Sequence, residues 1–491
     1  MIIRSFARSM ASLAIVLTCC VNAWSQENVH PQSTEYVWPE DPLVKERLEQ
    51  WRDQKFGMII HWGVYAVPGM IESWALSGEP WVKRDTTKSY EEFKKWYWDL
   101  SKEFNPVKFD PDQWASAAKS AGMRYVVFTT KHHDGFNMFD TKYSDYKISS
   151  GPFRSHPKSN VALHVFDSFR KQNFMIGAYF SKPDWHSEYF WWPYYATSDR
   201  NVNYDIRKYP WRWNQFRQYT FNQIHELMTE YGKMDILWLD GGWVRPLETV
   251  TEEVRSWGAA IPPFSQSVDM DAIAADARKA QPGILVVDRT VHGPYENYQT
   301  PEQRIPDYQL QAPWESCITL GDTWGYAPND KFKSPTTVIH MLVEVVAKGG
   351  SMLLGVGPSP EGLLTEDQTS RLNAIGQWLS VNGKCIYNTR PVVHYVSGNT
   401  WFTGNKDGTI NAIVLMDESE KVTDGNKVPV GNKRSTATVE WKGNIPRGKM
   451  TMLSTGRSVR YKITGDTVTV TLPSNGLDTS AALAFQYALS N

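Results

Sequence analysis

The feature that most limits the fold of this chain is a repeated alternation of apolar segments with helical segments up to residue 388. The apolar segments are rich in Val, Ile and Leu, and most lack polar alternation, which is typical of parallel strands covered on both faces. Strand followed by helix, repeated over roughly 350 residues, favours a (β/α) barrel over an open doubly wound sheet. The predicted strands are 56–63, 125–135, 175–181, 234–241, 284–289 and 350–358, and the predicted helices are 111–122, ending at Gly122, 163–173, 216–232 and 370–383.

The pattern changes near residue 389. From there to the end, short segments of alternating polarity are separated by Gly, Asn and Asp, which predicts an antiparallel β-sandwich. We therefore expect a barrel domain over residues 34–388 and a sandwich domain over residues 389–491.

The N-terminus has the layout of a secretory signal. Arg4 and Arg8 precede the apolar segment 11–23, which is too short to span a bilayer and is followed by polar residues. We expect cleavage after Ala23 and a secreted or periplasmic protein, with lipoprotein anchoring at Cys20 as the alternative. No other segment approaches the roughly 20 apolar residues of a membrane-spanning helix.

Two cysteines, Cys317 and Cys385, remain in the mature chain. One disulfide can form between them, but the fold cannot depend on a framework of disulfides.

Composition narrows the class of ligand. The formal net charge is -1, with 52 basic and 53 acidic residues, so the chain lacks the basic field that binds nucleic acid. Aromatic residues are dense, with 22 Trp, 23 Tyr and 20 Phe. They indicate either well-filled cores or a sugar site, because indole and phenol rings stack on the apolar C–H faces of pyranose rings.

Polar residues cluster where the predicted strands end. In a barrel, the carboxyl ends of the strands form the active-site face, so a polar residue that closes an apolar segment points toward the substrate. Asp240 closes the segment ILWLD, and Trp238, two residues earlier, faces the same side of the strand. The alternative is a structural role, in which the side chain of Asp240 caps the following helix. The other strand ends carry His61, His132, His133, Asp134, Tyr179 and Arg289.

The segment KHHDGF has the residue types of a metal site. Adjacent histidines on an extended strand point to opposite faces, so we expect that His132 and His133 cannot chelate one ion without a bulge or a turn. We therefore predict no metal and no cofactor, and two neutral imidazoles that hydrogen-bond sugar hydroxyls.

Several segments together resemble the α-L-fucosidases of glycoside hydrolase family 29, of the secreted bacterial type. The similarity covers roughly residues 36–390, with the segments in the family's order. It implies a retaining exo-glycosidase that removes terminal α-L-fucose from a fucosylated oligosaccharide or glycoconjugate. The implied fold is an irregular (β/α)8-like TIM barrel followed by a C-terminal antiparallel β-sandwich. The segments are FGMIIHWGVYAVPG, YVVFTTKHHDGFNMFD, YFSKPDWH, DILWLDGG, the DR of ILVVDR, YQTPEQ, PWESCITLGDTWGY and GGSMLLGVGPSPEG.

The resemblance also assigns roles. Asp240 matches the nucleophile, and a retaining mechanism needs a second carboxyl about 5 to 5.5 Å away that acts first as acid and then as base. Glu302 in YQTPEQ matches the acid/base loop, with Glu315 in PWESC as its rival and Glu296 as a third choice. The residues that match fucose-binding positions are His61, Trp74, His132, His133, Tyr179, Trp238 and Arg289.

The chain departs from the family pattern in two places. In IESWALSGE, Trp74 can be matched but the role of Glu72 is left open. The aromatic segment 190–213 is either a wall of a leaving-group subsite or an ordinary surface loop.

Two other functions are compatible with the sequence. One is a retaining glycosidase for a related sugar such as α-L-galactose, and the other is a catalytically weak fucose-binding relative. The sequence carries no signal for the fucosyl linkage or the oligomeric state.

Overall fold

The computed structural model of the chain describes residues 36–416, 438–473 and 481–490, so the predicted signal segment 1–23 lies outside the described residues. The strands of the barrel region are β1 Phe56–Ile60, β2 Tyr125–Lys131, β3 Met175–Ser181, β4 Ile236–Asp240, β5 Leu285–Asp288, β6 Glu315–Thr319 and β7 Ser351–Val356. The helices are α1 Pro42–Gln54, α2 Tyr90–Asp99, α3 Pro111–Ser120, α4 Val161–Lys171, α5 Pro210–Glu230, α6 Glu252–Ser256, α7 Met270–Ala280, α8 Pro335–Ala347 and α9 Glu366–Asn382.

The first seven strands form one parallel sheet in the order β5-β4-β3-β2-β1-β7-β6. The predicted barrel architecture is confirmed, with an irregularity between the two edge strands. There, an extended segment forms isolated bridges from Glu296 to Val287 of β5 and from Glu302 to Cys317 of β6. This segment takes the place of a regular eighth strand and closes the sheet.

The two faces of the sheet have separate cores, as strand alternation requires. In β4, Leu237 and Leu239 pack outward with helix residues such as Phe166 and Leu227. Ile236 and Trp238 point into the barrel and pack with Tyr179 and Val287. Asp240 therefore lies on the inner face, as the spacing from Trp238 predicts.

Helix α1 covers the end of the barrel at which the strands begin. Asp41 caps its first turn, and Val44, Leu48 and Trp51 pack into the inner core. The ring of Trp51 stacks on that of Tyr298, with centroids 4.0 Å apart. The opposite end, where the strands finish, is left for the polar residues.

The C-terminal part is an antiparallel sheet in the order β11-β14-β13-β12-β15-β10-β9-β8. Its own core includes Phe402, Trp441 and Phe485. The alternating burial of β11 is that of a sheet with one covered face. The strands are β8 Thr389–Ser397, β9 Thr400–Asn405, β10 Thr409–Leu415, β11 Thr438–Lys442, β12 Pro446–Met452, β13 Ser458–Thr464, β14 Thr467–Thr471 and β15 Ala482–Leu489.

The predicted elements are found at the predicted places. Each of the six predicted strands and four predicted helices overlaps an observed one, and Gly122 follows the C-cap of α3 in the left-handed conformation, with φ of 84°. Helices α1, α2, α6, α7 and α8 were not predicted. Within the described ranges, no helix has the length and apolar character needed to cross a membrane.

The contact between α9 and α3 gives a test of the packing. A β-carbon on Gly376 of α9 would lie 1.8 Å from the carbonyl oxygen of Ser120. We expect Gly376→Ala to lower the free energy of unfolding by about 1 to 3 kcal/mol, because overpacking outweighs the roughly 1 kcal/mol helix preference for alanine. Urea unfolding measures it, with the exposed Asn373→Ala of the same helix as control. Equal or higher stability of Gly376→Ala would contradict the close approach of the two helices.

Candidate active site

The carboxyl ends of the strands bring most of the predicted site residues together. His61 follows β1, His132 and His133 follow β2, and Arg289 follows β5. Tyr179 lies in β3 and Asp240 is the last residue of β4. The backbone N–H of His61 donates to the carbonyl of Val356 at the end of β7, which fixes the rim between these two strands.

Asp240 is held by three donors. The Tyr179 hydroxyl donates to Oδ2 at 2.6 Å, Arg289 Nη1 donates to Oδ1 at 2.9 Å and the N–H of Gly241 donates to Oδ1 at 2.8 Å. Burial alone would raise the pKa of Asp240, but the guanidinium charge of Arg289 and the bond from Tyr179 outweigh it and hold the pKa well below its ordinary value. The carboxyl is therefore ionised, and its side chain keeps 16% exposure toward the opening.

Arg289 connects the two predicted catalytic carboxyls. Its Nη1 contacts Asp240, and its Nη2 donates to Oε2 of Glu302 at 2.9 Å. The guanidinium lies 4.5 Å above the ring centre of Trp238, and its Nε donates to the hydroxyl of Thr300 at 3.1 Å. A planar, always-charged fork is suited to holding two carboxylates at a fixed spacing.

Glu302 lies on the segment that closes the barrel. Its Oε1 accepts from the indole N–H of Trp324 at 3.2 Å while Oε2 accepts from Arg289. The side chain is 22% exposed, so a substrate in the opening can reach it.

The two histidines lie beyond the extended strand β2, so the alternation of faces expected along a strand does not apply to them. The strand ends at Lys131, and the N–H of Gly135 donates to the carbonyl of His132 at 3.1 Å, so both imidazoles lie in a turn and reach the same site. Their ring centres lie 4.2 Å apart, and Nε2 of His133 is 3.8 Å from Oδ2 of Asp240.

Hydroxyl groups orient these two imidazoles by contacting the Nδ1 atom of each ring. Nδ1 of His132 is 2.6 Å from the hydroxyl of Ser73, and Nδ1 of His133 pairs with the hydroxyl of Ser181. Burial lowers the pKa of His132 to about 4 and that of His133 well below its ordinary value, so both rings are neutral near pH 7. Their Nε2 atoms remain available to a ligand. His61 adds a third buried ring, whose Nδ1 has no hydrogen-bond partner among the described residues.

His132, His133 and Asp240 place potential metal-ligand atoms within 4.8 Å of one another. The adjacent Arg289 puts a fixed positive charge against the same carboxylate, which opposes a cation there. The absence of a metal stays a prediction.

Glu315, the rival acid, is at the opposite end of the barrel interior. It is the first residue of β6, fully buried, and accepts from the Tyr125 hydroxyl at 2.7 Å and from the Trp238 indole at 3.1 Å. Burial raises its pKa to about 7. Glu296, the third choice, is also buried and pairs with Nδ1 of His292 at 2.7 Å.

Trp74 lines the side of the site next to His133, with ring centres 5.3 Å apart. Trp185 and Trp243 complete an indole wall around the same imidazole, and each of their N–H groups donates to the carbonyl of Arg200 at 3.1 Å. Arg200 belongs to the aromatic segment 190–213, so that segment is bonded to the wall of the site.

Sequence reasoning missed several supporting residues. Ser181 was detectable, because it follows Tyr179 by two positions and so shares its face. Trp324 lies in the segment PWESCITLGDTWGY, but nothing in the sequence connects it with Glu302. Arg245 gives no signal either, although its buried guanidinium donates to the carbonyls of Gly242 and Thr290 and so joins the loops after β4 and β5.

The two buried cysteines are free thiols. Cys317 lies beneath the site, where its sulfur is 3.7 Å from Nη2 of Arg289. Cys385 follows α9, and its thiol donates to the carbonyl of Asn382, the last residue of that helix, at 3.0 Å.

Glu72 is a buried acid beside this cluster. Its Oε2 has no hydrogen-bond partner among the described residues, and burial, with the charges of Glu302 and Asp240, raises its pKa to about 8. It therefore carries a proton at neutral pH. The unfolded chain loses this proton at lower pH than the folded protein does.

This difference predicts how stability depends on pH. Because the folded pKa is raised from 4.5 to about 8, the stabilising contribution of protonated Glu72 should be lost as the pH rises through that window. Urea unfolding of Glu72→Gln should therefore show a smaller loss of stability between pH 5 and pH 8 than the parent protein, whereas the exposed Glu103→Gln should follow the parent. Parallel pH profiles for all three proteins would contradict the buried proton.

Comparison with known proteins agrees with the fold. The family model described as Alpha-L-fucosidase matches residues 23–384. Tissue alpha-L-fucosidase of Bos taurus is 30% identical over 406 residues, which cover 77% of this chain and 76% of the relative.

Solved structures give the same result. Alpha-L-fucosidase isoenzyme 1 from Paenibacillus thiaminolyticus superposes with a TM-score of 0.71 at 28% identity, covering 91% of this chain and 100% of that chain. A family 29 alpha-L-fucosidase from Bacteroides thetaiotaomicron, a trapped covalent intermediate in complex with 2-fluoro-fucosyl fluoride, has a TM-score of 0.68 at 23% identity, covering 94% and 100%. The family match and the sequence identity together show that this chain belongs to the alpha-L-fucosidase family of glycoside hydrolases.

Proposed function

We propose that the protein is a retaining, exo-acting α-L-fucosidase that hydrolyses terminal α-L-fucose from glycans by double displacement. Asp240 is the nucleophile and Glu302 is the acid/base. The observation that carries this assignment is the double contact of Arg289, which binds both carboxyls through separate nitrogens. Retaining enzymes need their two carboxyls about 5 to 5.5 Å apart, and a shared guanidinium favours a separation of that order.

The first step forms a covalent intermediate. Asp240 attacks the anomeric carbon, the bond to the leaving-group oxygen breaks, and Glu302 gives its proton to that oxygen. Arg289 and Tyr179 keep Asp240 ionised before attack, because both bind its carboxylate. Their bonds to the two different oxygens also hold the carboxylate in one orientation.

The second step releases fucose. Glu302, now ionised, takes a proton from water while the water oxygen attacks the anomeric carbon, and the ester bond to Asp240 breaks. Two inversions leave the configuration of the sugar unchanged.

The substrate is oriented by neutral imidazoles and by aromatic rings. His61, His132 and His133 are suited to ring hydroxyls, since a neutral imidazole can both donate and accept. Tyr179 and Trp238 stack on each other with centroids 5.2 Å apart, but both rings are buried. The partly buried indole of Trp74 offers an apolar surface for the methyl group that distinguishes fucose from galactose. A methyl contact gives only about 1 to 3 kcal/mol of discrimination, so slow hydrolysis of α-L-galactosides is expected.

Geometry favours Glu302 over Glu315 as the acid. Glu302 keeps 22% side-chain exposure toward the opening, whereas Glu315 is fully buried at the end of the barrel where β6 begins.

Three alanine variants test these roles on an aryl α-L-fucoside. Asp240→Ala should lower kcat by at least about 10⁴-fold, as loss of a nucleophile does. Glu302→Ala should lose about 10²- to 10⁴-fold with a poor leaving group and much less with an acidic one. Azide should restore turnover of Glu302→Ala and yield the α-configured fucosyl azide.

Glu315→Ala is the matched control. We expect it to lose stability, because it leaves the Trp238 and Tyr125 donors unpaired, but azide should not raise its rate. Azide rescue of Glu315→Ala, with none for Glu302→Ala, would transfer the acid/base role to Glu315.

We also propose that the protein acts outside the cytoplasm, with residues 1–23 removed, a barrel domain over 34–388 and a sandwich domain over 389–491. The charged, apolar and small-residue order of the N-terminus supports this. Mass spectrometry of the exported protein should find Trp24 as the first residue. A lipid-modified Cys20 at the N-terminus would instead support the lipoprotein alternative.

A further inference from the structure

The indole wall beside His133 continues to the surface through one exposed tryptophan. Trp74 contacts His133 on one side, and its ring centre is 5.2 Å from that of Trp81. Trp81 is 47% exposed, whereas Trp185 and Trp243 in the same wall are buried. The site therefore has an aromatic surface that extends beyond the pocket of a single sugar.

The turn that carries Trp81 is anchored at both ends. The N–H of Val82 donates to the carbonyl of Glu79 at 3.1 Å, which closes the turn. Oε1 of Glu79 forms an ion pair with Nε of Arg200 at 2.6 Å, and both side chains are nearly buried, at 8% and 11% exposure. On the other side, the guanidinium of Arg84 donates to the carbonyl of Ser77.

The same ion pair fixes the orientation of the wall. The guanidinium of Arg200 lies 4.8 Å from the ring centre of Trp74 and 5.2 Å from that of Trp243. An indole that is already ordered loses little conformational freedom when a ligand binds, which favours affinity.

We propose that the exposed face of Trp81 binds the pyranose ring that neighbours fucose in the substrate glycan. The inference rests on the proposed fucosidase function, and it adds a second sugar-binding position and the residue that forms it. The apolar C–H face of a pyranose matches an exposed indole, and the contact is continuous with the wall that borders Asp240 through His133. The other exposed indoles among the described residues, Trp38 and Trp211, lack this continuity: Trp38 contacts the ring of Tyr36, and Trp211 contacts that of Trp192.

The test compares two substrates with different leaving groups. A fucosylated trisaccharide offers a neighbouring sugar ring, whereas α-L-fucosyl fluoride offers none. We expect Trp81→Ala to lower kcat/KM for the trisaccharide about tenfold, or about 1.4 kcal/mol, chiefly through KM, because one aromatic contact with the sugar is lost. The same variant should hydrolyse the fluoride within about twofold of the parent rate.

Trp38→Ala is the matched control, since it removes an equally exposed indole, at 50% exposure, from another surface. It should leave both substrates unchanged. Equal losses on trisaccharide and fluoride would show that Trp81 only supports the pocket, and no loss on either would show that its face is unused. Both results overturn the proposal.

A direct binding measurement separates this inference from the proposed reaction. If the parent protein hydrolyses neither substrate, the fucosidase assignment fails, and calorimetry with the intact trisaccharide still tests Trp81. Weaker binding to Trp81→Ala than to Trp38→Ala would support the sugar contact. Equal dissociation constants would overturn it.

Discussion

The structure of the site depends on one buried guanidinium placed between two carboxylates. Arg289 would be costly to bury without the charge of Asp240 beside it, and burial would raise the pKa of Asp240 if Arg289 were absent. The guanidinium and the two carboxyls satisfy each other's hydrogen bonds. The stacking of Arg289 on Trp238 fixes the plane of the guanidinium. The result is a nucleophile kept ionised and an acid kept within reach of the same glycosidic bond.

This arrangement is possible because the barrel is irregular where it closes. Arg289 leaves β5 at a regular strand end, but Glu302 belongs to a segment that joins β5 to β6 by isolated bridges. Such a segment can turn a side chain into the opening where a regular strand would alternate its residues in and out. Arg245 donates hydrogen bonds to the loops that follow β4 and β5. These bonds fix the position of Asp240 relative to Arg289.

The sequence was sufficient to predict the parts of this arrangement that follow from the two-residue alternation along a strand and from the order of strands and helices along the chain. The apolar segment of β4 predicts a buried strand, and the two-residue spacing from Trp238 puts Asp240 on the inner face. The barrel, the C-terminal antiparallel sheet and the gathering of His61, Tyr179 and Arg289 follow from the same logic. Choosing Glu302 required a family motif, since nothing in the local sequence of Glu302 indicates that it lies at the carboxyl ends of the strands.

The rest depended on contacts between distant segments. Both histidines lie in a turn that begins after Lys131, and the apolar pattern of β2 does not show that the strand ends there. The proton on Glu72 likewise arises from burial and from charges more than 150 positions away. Neither hydrophobic periodicity nor secondary-structure propensity can predict contacts between residues that become adjacent only after the barrel has closed.

The central claim is that Asp240 briefly holds the sugar as an ester. Incubation with a 2-fluoro-fucosyl fluoride, followed by proteolysis and mass spectrometry, tests it most directly because the fluorine slows release of the intermediate more than its formation. One fucosyl group attached to the peptide that carries Asp240 is the predicted result. A label on another residue, or release of the sugar with inverted configuration from an unmodified protein, would contradict the claim.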